Sequence, residues 1–152
     1  MAGWAEVAAG EPEFAARVRA LFDAHKHKTM ATLRKDGSPR ISGIEVEFTD
    51  DDVILGMMPG SLKAADVHRD PRVAVHSASV DPVEGEESGW PGDAKLAGRV
   101  VVVDDPENTT QGGHRFRIDI SEVVLTRVGS PADHLEIESW HDIGGYKHRR
   151  RS

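Results

Sequence analysis

The stretch Thr29-Met30-Ala31-Thr32-Leu33-Arg34-Lys35-Asp36-Gly37-Ser38-Pro39-Arg40, continued by Ile44-Glu45-Val46-Glu47-Phe48-Thr49-Asp50-Asp51-Asp52 and Val53-Ile54-Leu55-Gly56-Met57-Met58, decides the fold. Residues 29–34 form a short, partly β-branched run that stops at Asp36-Gly37, a dipeptide that favours a tight hairpin turn. Ile44, Val46 and Phe48 then alternate with Glu45 and Glu47, the period of a strand with one buried and one wet face. Residues 49–52 make a second turn and 53–58 a third strand. Three strands on short turns read as an antiparallel meander.

Upstream, Phe14, Val18, Leu21, Phe22 and His25 recur with a 3.6-residue period, and Pro12 and Glu13 suit a first helical turn. A helix is therefore predicted over about residues 12–25. Downstream, Pro59-Gly60 breaks the third strand, Ser61 opens a short helix through about His68, and Asp70-Pro71 stops it. Further strands follow at 72–77, 95–103, 116–120 and 135–140, separated by an acidic loop at 78–94 and a polar connection at 104–113. Helices do not alternate with strands, so a parallel α/β sheet is disfavoured. The expected class is mainly β with two or three short helices, closed as a small antiparallel barrel. One domain is predicted over 1–146, followed by a basic, disordered tail at 147–152.

Composition narrows the chemistry. The 152 residues carry 19 Lys and Arg against 26 Asp and Glu, a formal charge of −7. That balance argues against nucleic-acid binding, which relies on clustered cations. The absence of Cys removes disulfides, thiolate nucleophiles, cysteine zinc sites and iron–sulfur clusters. Charge is uneven, because Lys147, Arg149, Arg150 and Arg151 crowd the last residues. The N-terminal residues lack a basic, apolar leader pattern, and the densest apolar run is Val100-Val101-Val102-Val103. A soluble, cytoplasmic protein without a membrane partner is the expectation.

The segment Gly56-Met57-Met58-Pro59-Gly60-Ser61-Leu62-Lys63 is the most informative for function. Gly60 permits a tight turn, Ser61 can cap the helix, and Lys63 lies in its first turn. Free N–H groups at a helix start beside one ammonium make an anion site suited to phosphate. A capped helix with a solvated lysine is the plain alternative. Eight histidines show no HxxxH or HExxH pair, so no metal site is predicted. Serine-nucleophile, dinucleotide and phosphate-loop motifs are missing too. Trp90 and Trp140 sit among polar residues, where an aromatic can stack on a planar ligand, bury at an interface, or cover a barrel end.

Ala31–Arg40 with Asp36-Gly37, then Ser61-Leu62-Lys63 and Asp70-Pro71-Arg72, resemble the pyridoxamine 5′-phosphate oxidase-like superfamily of flavin and deazaflavin oxidoreductases. The resemblance runs from about Lys28 to Val128, with Trp90-Pro91-Gly92-Asp93-Ala94-Lys95 and Gly98-Arg99 similar to actinobacterial members. It implies a six-stranded antiparallel split β-barrel, a homodimer with cofactor sites at the subunit interface, and hydride transfer to or from a small organic substrate. It places Ser61 and Lys63 on the cofactor phosphate, Met57 and Met58 beside the ring or the phosphate through backbone groups, and Arg40 at the first cofactor-contacting strand; Trp90 is a further candidate. FMN-dependent members carry a basic residue five positions after that arginine, and this chain has Glu45. That departure argues against pyridoxamine-phosphate oxidase activity, and the similarity to actinobacterial members, many of which use coenzyme F420, favours F420 over FMN. The alternative is a non-catalytic flavin, F420 or haem binder, with His76 or His141 as candidate haem ligands. The connection at 104–113 is short for the family, which implies an open pocket. No residue is singled out as catalytic.

Overall fold

Ile44, Val46 and Phe48 turn inward and Glu45 and Glu47 outward along β2 (Pro39–Phe48), as their alternation predicted. The computed structural model describes residues 2–103 and 114–152. The connection at 104–113, expected to help shape the pocket, lies outside the described residues. Strands β1 (His27–Leu33), β2, β3 (Val53–Gly56), β4 (Arg72–His76), β5 (Asp93–Val102) and β6 (Arg115–Val128) are all antiparallel, in the order β3-β2-β1-β4-β5-β6. Pairing of β3 with β6, Leu55 opposite Phe116, closes these six strands into a barrel. β7 (Leu135–His141) and β8 (Gly145–Arg151) extend the sheet beyond it as a hairpin on the far half of β6.

Closure needs local devices. The Asp36-Gly37 turn places Gly37 at φ 87°, in the left-handed region that favours glycine. Register between β5 and β6 shifts at Ala97 and Gly98, which face Glu122 and Ile120, so Ser121 is skipped in the ladder and the bulge lies on β6. A Cβ on Gly98 would stand 1.9 Å from the Asp119 carbonyl oxygen, so only glycine lets β6 approach there.

The core is filled by Met30, Leu55, Val75, Leu96, Phe116, Ile118 and Ile120 from the strands. Helix α2 (Pro12–Asp23) lays Phe14, Val18 and Phe22 against them. Each such buried side chain contributes about 1.5–3 kcal/mol. Helix α1 (Trp4–Gly10), too short for a clear periodicity, was not predicted; its Trp4 packs edge-on against Phe48 at 4.8 Å. Helix α3 (Leu62–Arg69) lies between β3 and β4 in the chain and buries Ala64 and Val67.

The basic residues expected to form a solvated tail instead make strand β8. Each backbone position from Gly145 to Arg151 faces a β7 residue, and His148 reaches Glu136 at 2.8 Å. Strand β6 also runs to Val128, well past its predicted end. Among the described residues no helix is long and apolar enough to cross a membrane.

Candidate functional site

A groove of about 760 Å³ runs over β2 and β3, bounded by the 56–59 segment, the start of β1, Lys63 and His114-Arg115. Its lysine is held by helix geometry. Gly60, at φ 76°, turns the chain, and Ser61 caps α3 by accepting a hydrogen bond from the Ala64 amide at 3.3 Å. Lys63 then falls in the first helical turn, and its Nζ donates to the Gly43 carbonyl of β2 at 2.8 Å. An ammonium has three donors, so this bond fixes the side chain and leaves two N–H groups for a ligand.

The other charges of the groove fall into two sets. Lys26 pairs with Glu45 and Arg115 with Glu47, each at 3.6 Å, both across exposed surface where such pairs contribute little. Lys28 and Lys63 have no carboxylate within 4 Å among the described residues. Lys28 is 6% exposed, and its Nζ donates to the Lys26 carbonyl at 3.1 Å. Burial lowers its pKa, against the pull of Asp23 and Glu45. His114 completes the set: its Nδ1 is the one buried side-chain polar atom without a hydrogen-bond partner among the described residues. Orphaned buried donors or acceptors cost free energy, and ligand-binding sites are where they are found.

Of the predicted residues, Lys63, Met57 and Met58 line this groove, and Ser61 shapes it through the cap. Met57 is buried and its amide donates to the His114 carbonyl, whereas Met58 is 78% exposed. Arg40 is not among the lining residues. Its Nε donates to buried Asp66 at 2.7 Å, where Thr32 Oγ1 also donates at 2.7 Å and Arg69 at 3.0 Å. Burial by itself would raise the Asp66 carboxyl, but these hydrogen bonds outweigh it and hold the group below the usual carboxylate range. Trp90 lies elsewhere, on the 78–92 loop, donating from Nε1 to the Val80 carbonyl at 2.5 Å. Trp140 is buried in the core. His76 contacts the Ser77 carbonyl and His141 pairs with Glu122 at 3.0 Å; neither lines the groove.

Lys28 and His114 were not predicted. Lys28 shares strand parity with Met30 and Thr32, all three buried on β1, and a lysine on an inward position was the available signal. His114 precedes β6 and carries no local pattern.

A closed six-stranded antiparallel barrel with a cation-bearing groove beside a capped helix defines the class of fold as a split β-barrel. A profile of the pyridoxamine 5′-phosphate oxidase family matches residues 14–135, and the chain belongs to that family. No curated protein matches its sequence. Among solved structures, PhzG from Burkholderia lata 383, in complex with tetrahydrophenazine-1-carboxylic acid, aligns with TM-score 0.67 and 14% identity, covering 93% of this chain and 92% of its own. A pyridoxamine 5′-phosphate oxidase-related, FMN-binding protein from Nostoc punctiforme PCC 73102 aligns with TM-score 0.61 and 9% identity, covering 93% and 96%. An F420 reductase aligns with TM-score 0.51 and 17% identity, covering 69% and 94%. At these identities the shared property is the split-barrel fold.

Proposed function

We propose that the groove holds a phosphate-bearing flavin-type cofactor, coenzyme F420 in preference to FMN, and that the protein is an oxidoreductase acting on a small organic substrate. The observation that carries this reading is Lys63, tied by one donor to Gly43 and facing no carboxylate within 4 Å among the described residues. The residues present fit such a group. Lys63 and Ser61 would hold the phosphate at the start of α3, and His114, whose buried Nδ1 has no hydrogen-bond partner among the described residues, lines the same groove. Ile44, Val46, Ile54 and Met57 supply apolar walls that exclude water from a ring. When bound, the cofactor supplies the hydride chemistry; the chain binds, orients and shields it. Glu45, which lines the groove, repels a phosphate placed beside it, so the phosphate of either cofactor belongs at the Lys63 end.

Exposed Ile41, Met58 and Leu62 support a homodimer whose partner would close the groove. The test is to purify the protein, record its visible spectrum, and titrate FMN and F420 in parallel. F420 is expected to bind more tightly than FMN. Lys63→Ala is expected to weaken binding about tenfold, most at low salt. Failure of both cofactors to bind, or unchanged affinity in Lys63→Ala, would sink the proposal. A Soret band on haem addition would shift the assignment to a haem binder, with a His→Ala series at His76, His114 and His141 to find the axial ligand.

A further inference from the structure

A second pocket, of about 420 Å³, lies between α2, β6 and the 78–92 loop. Its walls are apolar: Ala20 and Leu21 from α2, Ala24 at its C-cap, Val80 and Pro91 from the loop, and buried Leu125 from β6. The small side chains of α2 leave the space, and the loop wall is fixed. Trp90 Nε1 donates to the Val80 carbonyl, and Ser88 Oγ donates to the Gly129 carbonyl at 2.6 Å. Gly92 presses against β6 so closely that a Cβ would stand 2.4 Å from the Thr126 carbonyl oxygen. The volume is within the range of small-molecule sites.

One charged residue of this pocket behaves unexpectedly. Arg127 stands directly opposite Glu136 in the β6–β7 ladder, where an ion pair would be the default. It makes no ion pair or hydrogen bond among the described residues and lines the apolar pocket instead. Glu136 is taken by His134 at 2.9 Å and His148 at 2.8 Å. The other arginine of the pocket, Arg17, is held by Glu138 at 2.5 Å. An apolar cavity with one uncompensated guanidinium is complementary to a ligand with a hydrocarbon body and one anionic end.

We propose that this pocket binds a small apolar monocarboxylic acid, its hydrocarbon part on the α2 and Leu125 walls and its carboxylate on Arg127. Octanoate and octan-1-ol serve as charged and uncharged probes, titrated calorimetrically into the full chain at neutral pH, with tryptophan emission as a second readout because Trp90 is hydrogen-bonded to the lining residue Val80 and precedes the lining residue Pro91. Octanoate is expected to bind more tightly than octanol. Arg127→Gln is expected to weaken octanoate about tenfold and leave octanol unchanged. Ala24→Phe, which fills the space, is expected to abolish binding of both probes with circular dichroism unaltered, while F420 and FMN titrations stay as in the parent. Absence of octanoate binding at millimolar concentration, or equal affinity in parent and Arg127→Gln, would overturn the proposal. So would octanoate affinity that falls as protein concentration rises, which would mark the pocket as covered by a second copy of the chain.

Discussion

Glu45 and Arg40 lie five residues apart on one strand and meet different fates. Glu45 lines the groove beside Lys26, whereas Arg40 is withdrawn into the Asp66 cluster. Glu45→Lys is therefore expected to raise FMN affinity about three- to tenfold in a fluorescence titration, by replacing a repulsion with an attraction across partly exposed space. F420 affinity should rise as well if its phosphate occupies the same end; no response of either would place the phosphate away from Glu45. Lys63 was legible in the sequence because helix punctuation is local: Pro-Gly, a capping serine, then the first turn. The neutralisation of Arg40 was not, since its partner is 26 positions away and nothing near Arg40 announces it. Lys28 escaped for a related reason: it sits in a run of alternating His and Lys that looks like solvated surface until β1 fixes its parity.

Two elements meet where α2 crosses the β7–β8 hairpin. Glu138 is 2% exposed and accepts from both guanidinium nitrogens of Arg17 at 2.5 Å and from Tyr146 Oη at 2.5 Å. Burial, then the hydrogen bond to Glu138, pushes the Tyr146 phenol up to about 12. Glu138→Ala strands Arg17 and Tyr146 and is expected to cost about 3 kcal/mol in denaturant unfolding. Arg17→Ala should cost less, because Arg17 is half exposed and water can replace it. A coupling below about 0.5 kcal/mol in the double-mutant cycle would show the pair to be incidental.

The hairpin's open end holds a titrating contact. Buried His134 sets Nδ1 against Asp133 at 2.8 Å and Nε2 against Glu136 at 2.9 Å, with His148 and Arg150 of β8 close by and Arg127 opposite Glu136 on β6. The bonds to Asp133 and then Glu136 raise the imidazole above its ordinary 6.5. A raised folded value means the stabilisation is full below the unfolded value and is lost as pH rises through the folded one. Asp133 and Glu136 are lowered, by His134 first in each case, so their contribution disappears at the acidic end. Amide exchange of β8 is expected to accelerate from neutral to mildly alkaline pH beyond the intrinsic rate. His134→Gln should flatten that profile, and an unchanged one would assign the ordering of β8 elsewhere. The helix α2 was readable from its apolar stripe, but β8 was not. Five basic residues in seven look solvated, and what orders them is backbone pairing with β7 across a turn, with Glu136 of β7 holding His148 and Arg150.

At the scale of the molecule, the acidic total conceals a local concentration of cations. Lys28 and Lys63 sit without carboxylate partners in one groove, and Arg127 in another pocket. The meander, the α3 punctuation and the barrel class were legible because alternation and turn chemistry are local. The extent of β6 and the extra hairpin were not, because they depend on pairings between distant segments. The β3–β6 ladder has a kinetic side. It joins Ile54 to Arg117 across a loop of more than 60 residues, so the chain entropy of closing that loop must be met before the ladder offers any return. Until then β3 and β6 are two raw edges, each able to recruit a strand from another chain. The four-residue strand Val53–Gly56, already paired with β2 across a tight turn, is thus the point at which the barrel's last edge is closed by a distant segment.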